Sequence, residues 1–489
     1  MTLQAVRPRL APKGHAGPWA TGVFNAAGDG KSDSPSLHPT IWETSATSRF
    51  NLDVLRIISQ GDTMKVIIVG AGIAGLAAGI GLRRGGHQVT IYERSSLARE
   101  IGAALNICPN ASRVLLEWKF QVERARLVTA RRHILARGDT LETLRDMAYP
   151  DFREHSGGPW YLAHRVDLHN ELQRLARDPE GQGRPVDIRL RSEVVGYDAD
   201  KGSVTLADGS VQYGDLVIGA DGVHSTAIRA VHGHSTHVEP TGWSVFRFLI
   251  PTEDLRNDPD IAPTLDKGAT TVTDGMLTIF TAPEGQRRLV RYPCADNTIQ
   301  NFVAMYNDPQ IDDHEREDWD RSATIDDILS YYHDFHPDLL NVIRKATDIK
   351  RWPLLYRDPL PTISKGRLVL IGDAAHPMLP HQGQGGAMSI EDGGALGEVF
   401  AGLPEGTPGD EIHRRIALFE KIRHKRASGI QVMSNAGQDQ MWRVRDRMRP
   451  FMPDGVEPPN TIPEIWEHNF RYDVLADSRR QLKEYLEGR

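Results

Sequence analysis

The sequence predicts an α/β protein: a Rossmann-like dinucleotide-binding domain assembled from discontinuous segments, an interleaved α+β region, and helices at the C-terminal end. Three observations carry this reading. Residues 65–94 run strand, glycine turn, helix, strand and acidic residue in one window. Two further short apolar runs, Asp215–Gly222 and Leu368–Asp373, end in Gly or Asp at a turn. Segments between them alternate apolar and polar residues, as half-buried strands do.

Residues 1–63 are rich in Pro, Gly, Ser, Thr and Ala and lack both periodicity and a continuous apolar core. That composition suits a disordered extension, or a stretch added by the assumed start codon, since Met64-Lys65 opens directly onto the first strand. A transit peptide is the weaker reading, because no Arg-rich amphipathic helix is present. Val66–Val69 is wholly apolar, as a buried parallel strand requires. Gly70, Gly72 and Gly75 follow in G-x-G-x-x-G spacing. The first allows a tight turn, the second lets a pyrophosphate approach the backbone, and the third lets helix and strand pack closely. Ile73–Arg84 is predicted helical, its N-terminus offering free N–H groups and the positive dipole end to phosphates. Gln88–Tyr92 ends on Glu93, placed to accept a hydrogen bond from a ribose hydroxyl. The whole window points to an ADP-containing dinucleotide; the glycines alone would not.

Asn110 is expected to cap a helix over Ser112–Trp118. A strand over Trp160–His164 leads into an amphipathic helix ending at Arg177. Val186–Tyr197 and Ser203–Tyr213 read as strands, the latter turning at Asp208-Gly209. Trp243–Pro251, Thr270–Thr281 and Arg288–Pro293 alternate as strands, and Ile325–Phe335 and Leu339–Ala346 look helical. The turn Gly383-Gln384-Gly385-Gly386 leads into a helix from Ala387. A long amphipathic helix from about Asp410 to Arg447 and a Pro-rich tail complete the chain. Arg423–Arg426 reads as the exposed side of that helix, and Asp312–Asp320 as a solvated acidic run.

The formal net charge of −7 argues against a general nucleic-acid binder. The two cysteines, Cys108 and Cys294, lie far apart without C-x-x-C spacing, which fits a reducing compartment and supplies no metal or disulfide framework. Val66–Leu82, the most apolar stretch, is marginal in length for a membrane span and is interrupted by the glycine pattern. A soluble, cytoplasmic monomer or homodimer without membrane attachment is expected. His376 and His381 read as structural members of a loop, and His232, His234 and His237 as solvated.

Open parallel sheets bind ligands at the carboxyl ends of their strands. The three strand ends, at Gly70/Gly72/Gly75, Asp221-Gly222 and Gly372-Asp373, should therefore converge on one extended ligand. With these motifs the sequence resembles the class A FAD-dependent aromatic monooxygenases, most closely their salicylate-hydroxylase branch, over roughly Met64–Arg447. The resemblance rests on the glycine turn with Glu93, on Gly219-Ala220-Asp221-Gly222-Val223-His224-Ser225 with Arg229, and on Gly372-Asp373-Ala374-Ala375-His376-Pro377 followed by Gly383-Gln384-Gly385-Gly386. It implies bound FAD, reduced by transiently docked NADH or NADPH. It also implies O2 as oxidant and a C4a-hydroperoxyflavin that hydroxylates a small phenolic or other aromatic substrate. It further implies that Glu93 binds the adenosine ribose, that Gly102 and Ala103 line the FAD site, and that Arg165 contacts the cofactor. Asp373 would hold the ribityl chain, Gly386 would lie beside the flavin, and Asp221 would serve FAD and NAD(P)H. The plainer reading of Asp221 is a turn residue. For Asp373 it is weaker, since an acid ending a buried strand needs a partner.

On the substrate side, Arg247 sits amid Phe246, Phe248, Leu249 and Ile250 and matches a family strand in which an arginine can face the active site. It could hold a phenolate or carboxylate by bidentate hydrogen bonds; a salt-bridged structural arginine has nearly equal weight. Tyr292-Pro293 matches the family's Tyr-Pro strand end, so Tyr292 could orient or help deprotonate a phenol. Some relatives carry a histidine four residues earlier; here Arg288 stands there, which argues against a histidine relay at that point. The FAD-binding domain is then expected over 64–150, 203–235 and 360–400, the substrate-side region over 151–202 and 236–359, and C-terminal helices over 401–489. The competing reading is a flavin epoxidase of an isoprenoid or meroterpenoid substrate. A halogenase lacks its W-x-W-x-I-P signature here, and a flavin sensor would show no substrate-stimulated NAD(P)H oxidation.

Overall fold

Lys65–Val69 runs parallel to Leu216–Gly219 on one side and to Gln88–Tyr92 on the other, with Val69 level with Gly219 and Tyr92. This is a computed structural model, and it describes residues 63–97, 103–234, 236, 238–308 and 321–489. The expectations for residues 1–62, Gly102, His237 and Asp312–Asp320 lie outside the described residues. Leu368–Leu370 and Asp187–Arg189 extend the sheet in parallel, and the short Ser364–Lys365 closes one edge antiparallel. Shared polarity brings the three motif turns together. The Ala220 amide donates to the Val69 carbonyl at 2.9 Å, and the Ile371 amide donates to the Gly219 carbonyl at 3.0 Å. The predicted α/β, Rossmann-like architecture is therefore present.

Two helices beside this sheet cross each other at close range. A Cβ on Gly81, in the Ile73–Arg84 helix, would fall 2.1 Å from the Gly393 carbonyl oxygen, and one on Gly397 would fall 2.6 Å from that of Gly81. Both Gly393 and Gly397 belong to the helix Gly385–Val399. The crossing is backbone on backbone, which only glycine permits.

A second sheet runs in the order Arg321–Ser322, Thr347–Tyr356, Glu239–Pro251, Ile299–Asn307, Arg288–Cys294, Met276–Thr281, Arg132–Arg137, Thr143–Ala148. It is antiparallel except where Met276–Thr281 meets Arg132–Arg137. Alternation along the strands divides its faces. Phe246, Phe248, Phe280, Leu289 and Phe302 form a sealed core under the helices Ile325–Tyr332 and Pro337–Ile343. The other face carries Val245, Val290, Val303, Met305 and Trp352, and Leu379 from the loop after Gly372 packs onto it.

Several boundaries differ from expectation. Arg132–Arg137 and Thr143–Ala148, expected with the nucleotide sheet, belong to the second sheet, whereas Asp187–Arg189 joins the first. Ile299–Asn307 and Thr347–Tyr356 are strands without a clear sequence signal. Val186–Tyr197 is interrupted after Arg189, and the strand expected from Thr270 begins at Met276. The long helix stops at Met433, before the Ser-Asn-Ala-Gly run 434–437. The tail contains two more helices, Ile462–Phe470, opened by a Thr461/Glu464 capping box, and Val474–Glu487. Among the described residues no helix is long and apolar enough to cross a membrane.

Candidate active site

The three motif glycines meet three different environments. Gly70 has φ +102°, and a Cβ there would lie 2.4 Å from the Ala220 carbonyl oxygen; at Gly75 it would lie 1.9 Å from that of Gly70. At Gly72 a Cβ would meet nothing among the described residues within 4 Å. The fold itself requires the first and third glycines. The open space at the second suits a ligand approaching the backbone. Glu93 closes the turn: its carboxylate accepts from the Ala71 amide at 2.7 Å and the Ser95 amide at 2.8 Å. Each oxygen keeps a second lone pair for a hydroxyl donor. Beside this turn the Arg165 amide donates to the Ala103 carbonyl at 2.8 Å, which joins the first residue of the helix Arg165–Arg177 to the residue just before the strand Ala104–Ile107.

Asp373 lies in the short turn Gly372–Ala374 at the end of the third strand. Its side chain is reachable by water yet enclosed by protein, which is the condition of a cavity wall. Burial pushes its carboxyl above the ordinary range, against His376, Arg357 and Arg165. The Gly385–Val399 helix starts nearby, two residues earlier than expected. Nothing among the described residues lies within 4 Å of a Cβ on Gly385, and Leu105 Cδ1 lies 3.2 Å from one on Gly386. Asp221 behaves largely as the turn residue its sequence suggests. One oxygen accepts from the Tyr197 hydroxyl at 2.9 Å and the Thr226 amide at 3.0 Å, while the other has no partner among the described residues.

Arg247 and Tyr292 both lie on the face of the second sheet that looks toward the nucleotide side. Arg247 stands opposite Val303, which stands opposite Val290; Tyr292 stands opposite Asn301. The Arg247 guanidinium carbon lies 4.5 Å from the centre of the Trp352 ring. Among the described residues its Nε has no hydrogen-bond partner and no acid forms an ion pair with it. Burial lowers its pKa, opposed by Tyr292 and assisted by Arg165. The structural salt bridge weighed from the sequence is therefore absent among the described residues. Tyr292 is 4% exposed, and burial holds its hydroxyl far above the usual range, so it stays protonated at neutral pH.

Other polar residues here escaped sequence reading. His133, opposite Leu277, is enclosed; burial depresses it to about 4, and its Nε2 has no partner among the described residues. A histidine in a strand of mixed polarity carries no signal of its own. Asn110 is not a cap: the helix starts at Pro109, and the Asn110 amide donates to Gln384 Oε1 at 3.1 Å and Glu391 Oε1 at 2.6 Å. Arg423, expected on an exposed face, is completely buried between Glu391 and Asp392. Arg288 pairs with Asp439 at 2.8 Å.

A family model described as "FAD binding domain" matches residues 63–431. FAD-dependent monooxygenase cfoG of Aspergillus candidus is 40% identical over 427 residues, covering 86% of this chain and 96% of the relative. Hispidin-3-hydroxylase of Neonothopanus nambi is 36% identical over 386 residues, covering 76% and 88%. A 3-hydroxybenzoate 6-hydroxylase of Klebsiella oxytoca is 30% identical over 400 residues, covering 81% and 90%. Among solved structures, native FqzB shares 26% identity at a TM-score of 0.66, covering 88% of this chain and 95% of that one. A salicylate hydroxylase solved as a substrate complex shares the fold at 24% identity and a TM-score of 0.66, covering 86% and 98%. The open backbone at Gly72, the acid at Glu93 and the enclosed Asp373 fit an extended dinucleotide.

Proposed function

We propose that this chain, which belongs to the class A FAD-dependent aromatic monooxygenases, places one oxygen atom from O2 on the ring of a small phenolic substrate, with NADH or NADPH as the electron donor. The observation that carries the substrate side is Arg247: a guanidinium enclosed by protein, stacked on Trp352 and unpaired with any described acid. A cation in such a place is stabilised by an anionic partner, and a phenolate or a phenolic acid supplies one. The names of two relatives, a hispidin 3-hydroxylase and a 3-hydroxybenzoate 6-hydroxylase, support ring hydroxylation.

When bound, FAD supplies the electron transfer from NAD(P)H and the activation of O2. The chain's own residues hold and order the reactants. Glu93 takes the adenosine ribose, with Gly70, Gly72 and Gly75 turning the backbone toward the pyrophosphate. Ala103 and Arg165 would line the cofactor, Asp373 would hold the ribityl chain, and Gly386 would stand by the ring system. Asp221 holds the turn at the second strand end through Tyr197 and Thr226, and that turn would serve FAD and NAD(P)H. Arg247 favours the ionised substrate and fixes its oxygen, which raises electron density in the ring at the site to be attacked. Tyr292, protonated because it is buried, donates a hydrogen bond rather than acting as a base. The apolar wall of Val245, Val303 and Met305 keeps water from the reacting atoms.

Replacing Arg247 with Ala tests the assignment. FAD content stays at the wild-type level, while kcat/KM for a responsive phenolic acid falls by roughly 10²–10³-fold, the loss expected of a buried charge-assisted contact. Wild-type turnover in the folded, FAD-loaded variant contradicts the role of Arg247.

A further inference from the structure

Two turns into the Gly385–Val399 helix, Glu391 and Asp392 stand side by side, 0% and 1% exposed. Asp392 Oδ2 accepts from the Gly372 amide at 3.0 Å and from His376 Nε2 at 2.7 Å; its Oδ1 accepts from Arg423 Nε at 2.8 Å. Glu391 is held by Arg423 and Arg426 and also accepts from Asn110, whose amide reaches Gln384. Two carboxylates and two guanidiniums thus balance each other out of water. Burial pushes Asp392 upward, yet His376 and then Arg423 outweigh it and hold the carboxyl at about 2.

Buried charge clusters are poor sources of net stability, because desolvation offsets the attraction; their best-attested use is to fix register. Here the segments being registered can be named. Gly372 and His376 flank Asp373 in sequence, and Gln384 immediately precedes the helix start at Gly385. Gly372 is wedged at φ +56°, where a Cβ would stand 2.6 Å from Ala74 Cβ and 3.2 Å from Ser389 Oγ. The turn bearing Asp373 is therefore pressed between the first-motif helix and the Gly385–Val399 helix. Asp392 pins it to the second of these on both sides of Asp373.

We propose that Asp392 is a positioning residue for the cofactor: through Gly372 and His376 it fixes Asp373 at the FAD wall, with Arg423 bracing it from behind. The proposal rests on FAD occupying that wall. A purely structural cluster would alter melting without altering how FAD is held.

The test uses the full-length FAD-loaded enzyme and three variants: His376→Gln, Asp392→Asn and the double substitution. FAD release is followed by its fluorescence, and the visible flavin spectrum is recorded beside circular dichroism and the melting temperature. Each single variant is expected to release FAD at least about tenfold faster and to shift the bound-flavin spectrum. The double variant is expected to be no more than about twofold worse than the poorer single, since both act through one contact. A folded His376→Gln protein that releases FAD within twofold of wild type overturns the proposal, as do single effects that simply multiply. If Asp392→Asn does not fold, His376→Gln decides alone. A folded wild-type protein that neither carries nor takes up FAD would instead overturn the FAD assignment beneath it.

Discussion

At Gly70 a Cβ would press on the Ala220 carbonyl and at Gly75 on the Gly70 carbonyl, whereas at Gly72 it would meet open space. Two substitutions should therefore part company. Gly75→Ala overpacks the helix–strand contact and lowers the stability of the FAD-free protein by roughly 1–3 kcal/mol, read by denaturant titration. Gly72→Ala leaves that stability near wild type but weakens FAD binding by about tenfold or more, read by FAD titration. Equal effects of the two on stability would contradict the assignment of Gly72 to the ligand. His87 sets a separate pH dependence. It is 0% exposed, its Nε2 lies 2.8 Å from the Phe400 carbonyl, and its Nδ1 has no partner among the described residues. Burial lowers its pKa from 6.5 to about 4, so between these values the unfolded chain takes up a proton that the folded protein refuses. Stability is then lost as pH falls from about 6.5 to 4, on the order of 3 kcal/mol from this residue. His87→Gln, which can still donate to Phe400, should flatten part of that slope in denaturant midpoints measured at pH 7, 6 and 5. An unchanged slope would contradict this account.

The elements that announce themselves in the sequence are those whose signals are local. Val66–Val69, Leu216–Gly219 and Leu368–Leu370 are short apolar runs ending in Gly or Asp, and parallel pairing alone suffices to bring their ends together. The second sheet is harder to read. Ile299–Asn307 is buried along nearly its whole length, so it shows no alternation, and its Gln300 and Asn301 resemble loop residues although they are 1% and 0% exposed. Which face Arg247 and Tyr292 share depends on register across three strands, a non-local property. The burial of Arg423 is hidden for a related reason. Charge on a helix normally marks a solvated face, but the Gly409–Met433 helix is covered on several sides and its acids lie on another helix. The Gly81–Gly393–Gly397 crossing was likewise hidden, because glycine inside a helix reads as a defect until its neighbour is known.

At the scale of the molecule, the parallel sheet gathers three distant turns into one dinucleotide wall. The second sheet turns toward it a face bearing a protonated tyrosine and an arginine that pairs with no acid among the described residues. The buried Asp392–Arg423 cluster ties the last of those turns to the helix that begins beside it. The sequence motifs foretold the first of these features; the other two needed the fold. Together these features support the proposed ring hydroxylation with oxygen drawn from O2. The most direct measurement incubates the FAD-loaded enzyme with NADH or NADPH and a panel of phenolic acids under ¹⁸O2, with product masses and ring NMR. The account predicts a phenolic acid that both stimulates NAD(P)H oxidation and gains one ¹⁸O as a new ring hydroxyl. NAD(P)H consumption that yields only peroxide across the panel, alongside an ¹⁸O-epoxide from a prenylated olefin, would contradict it.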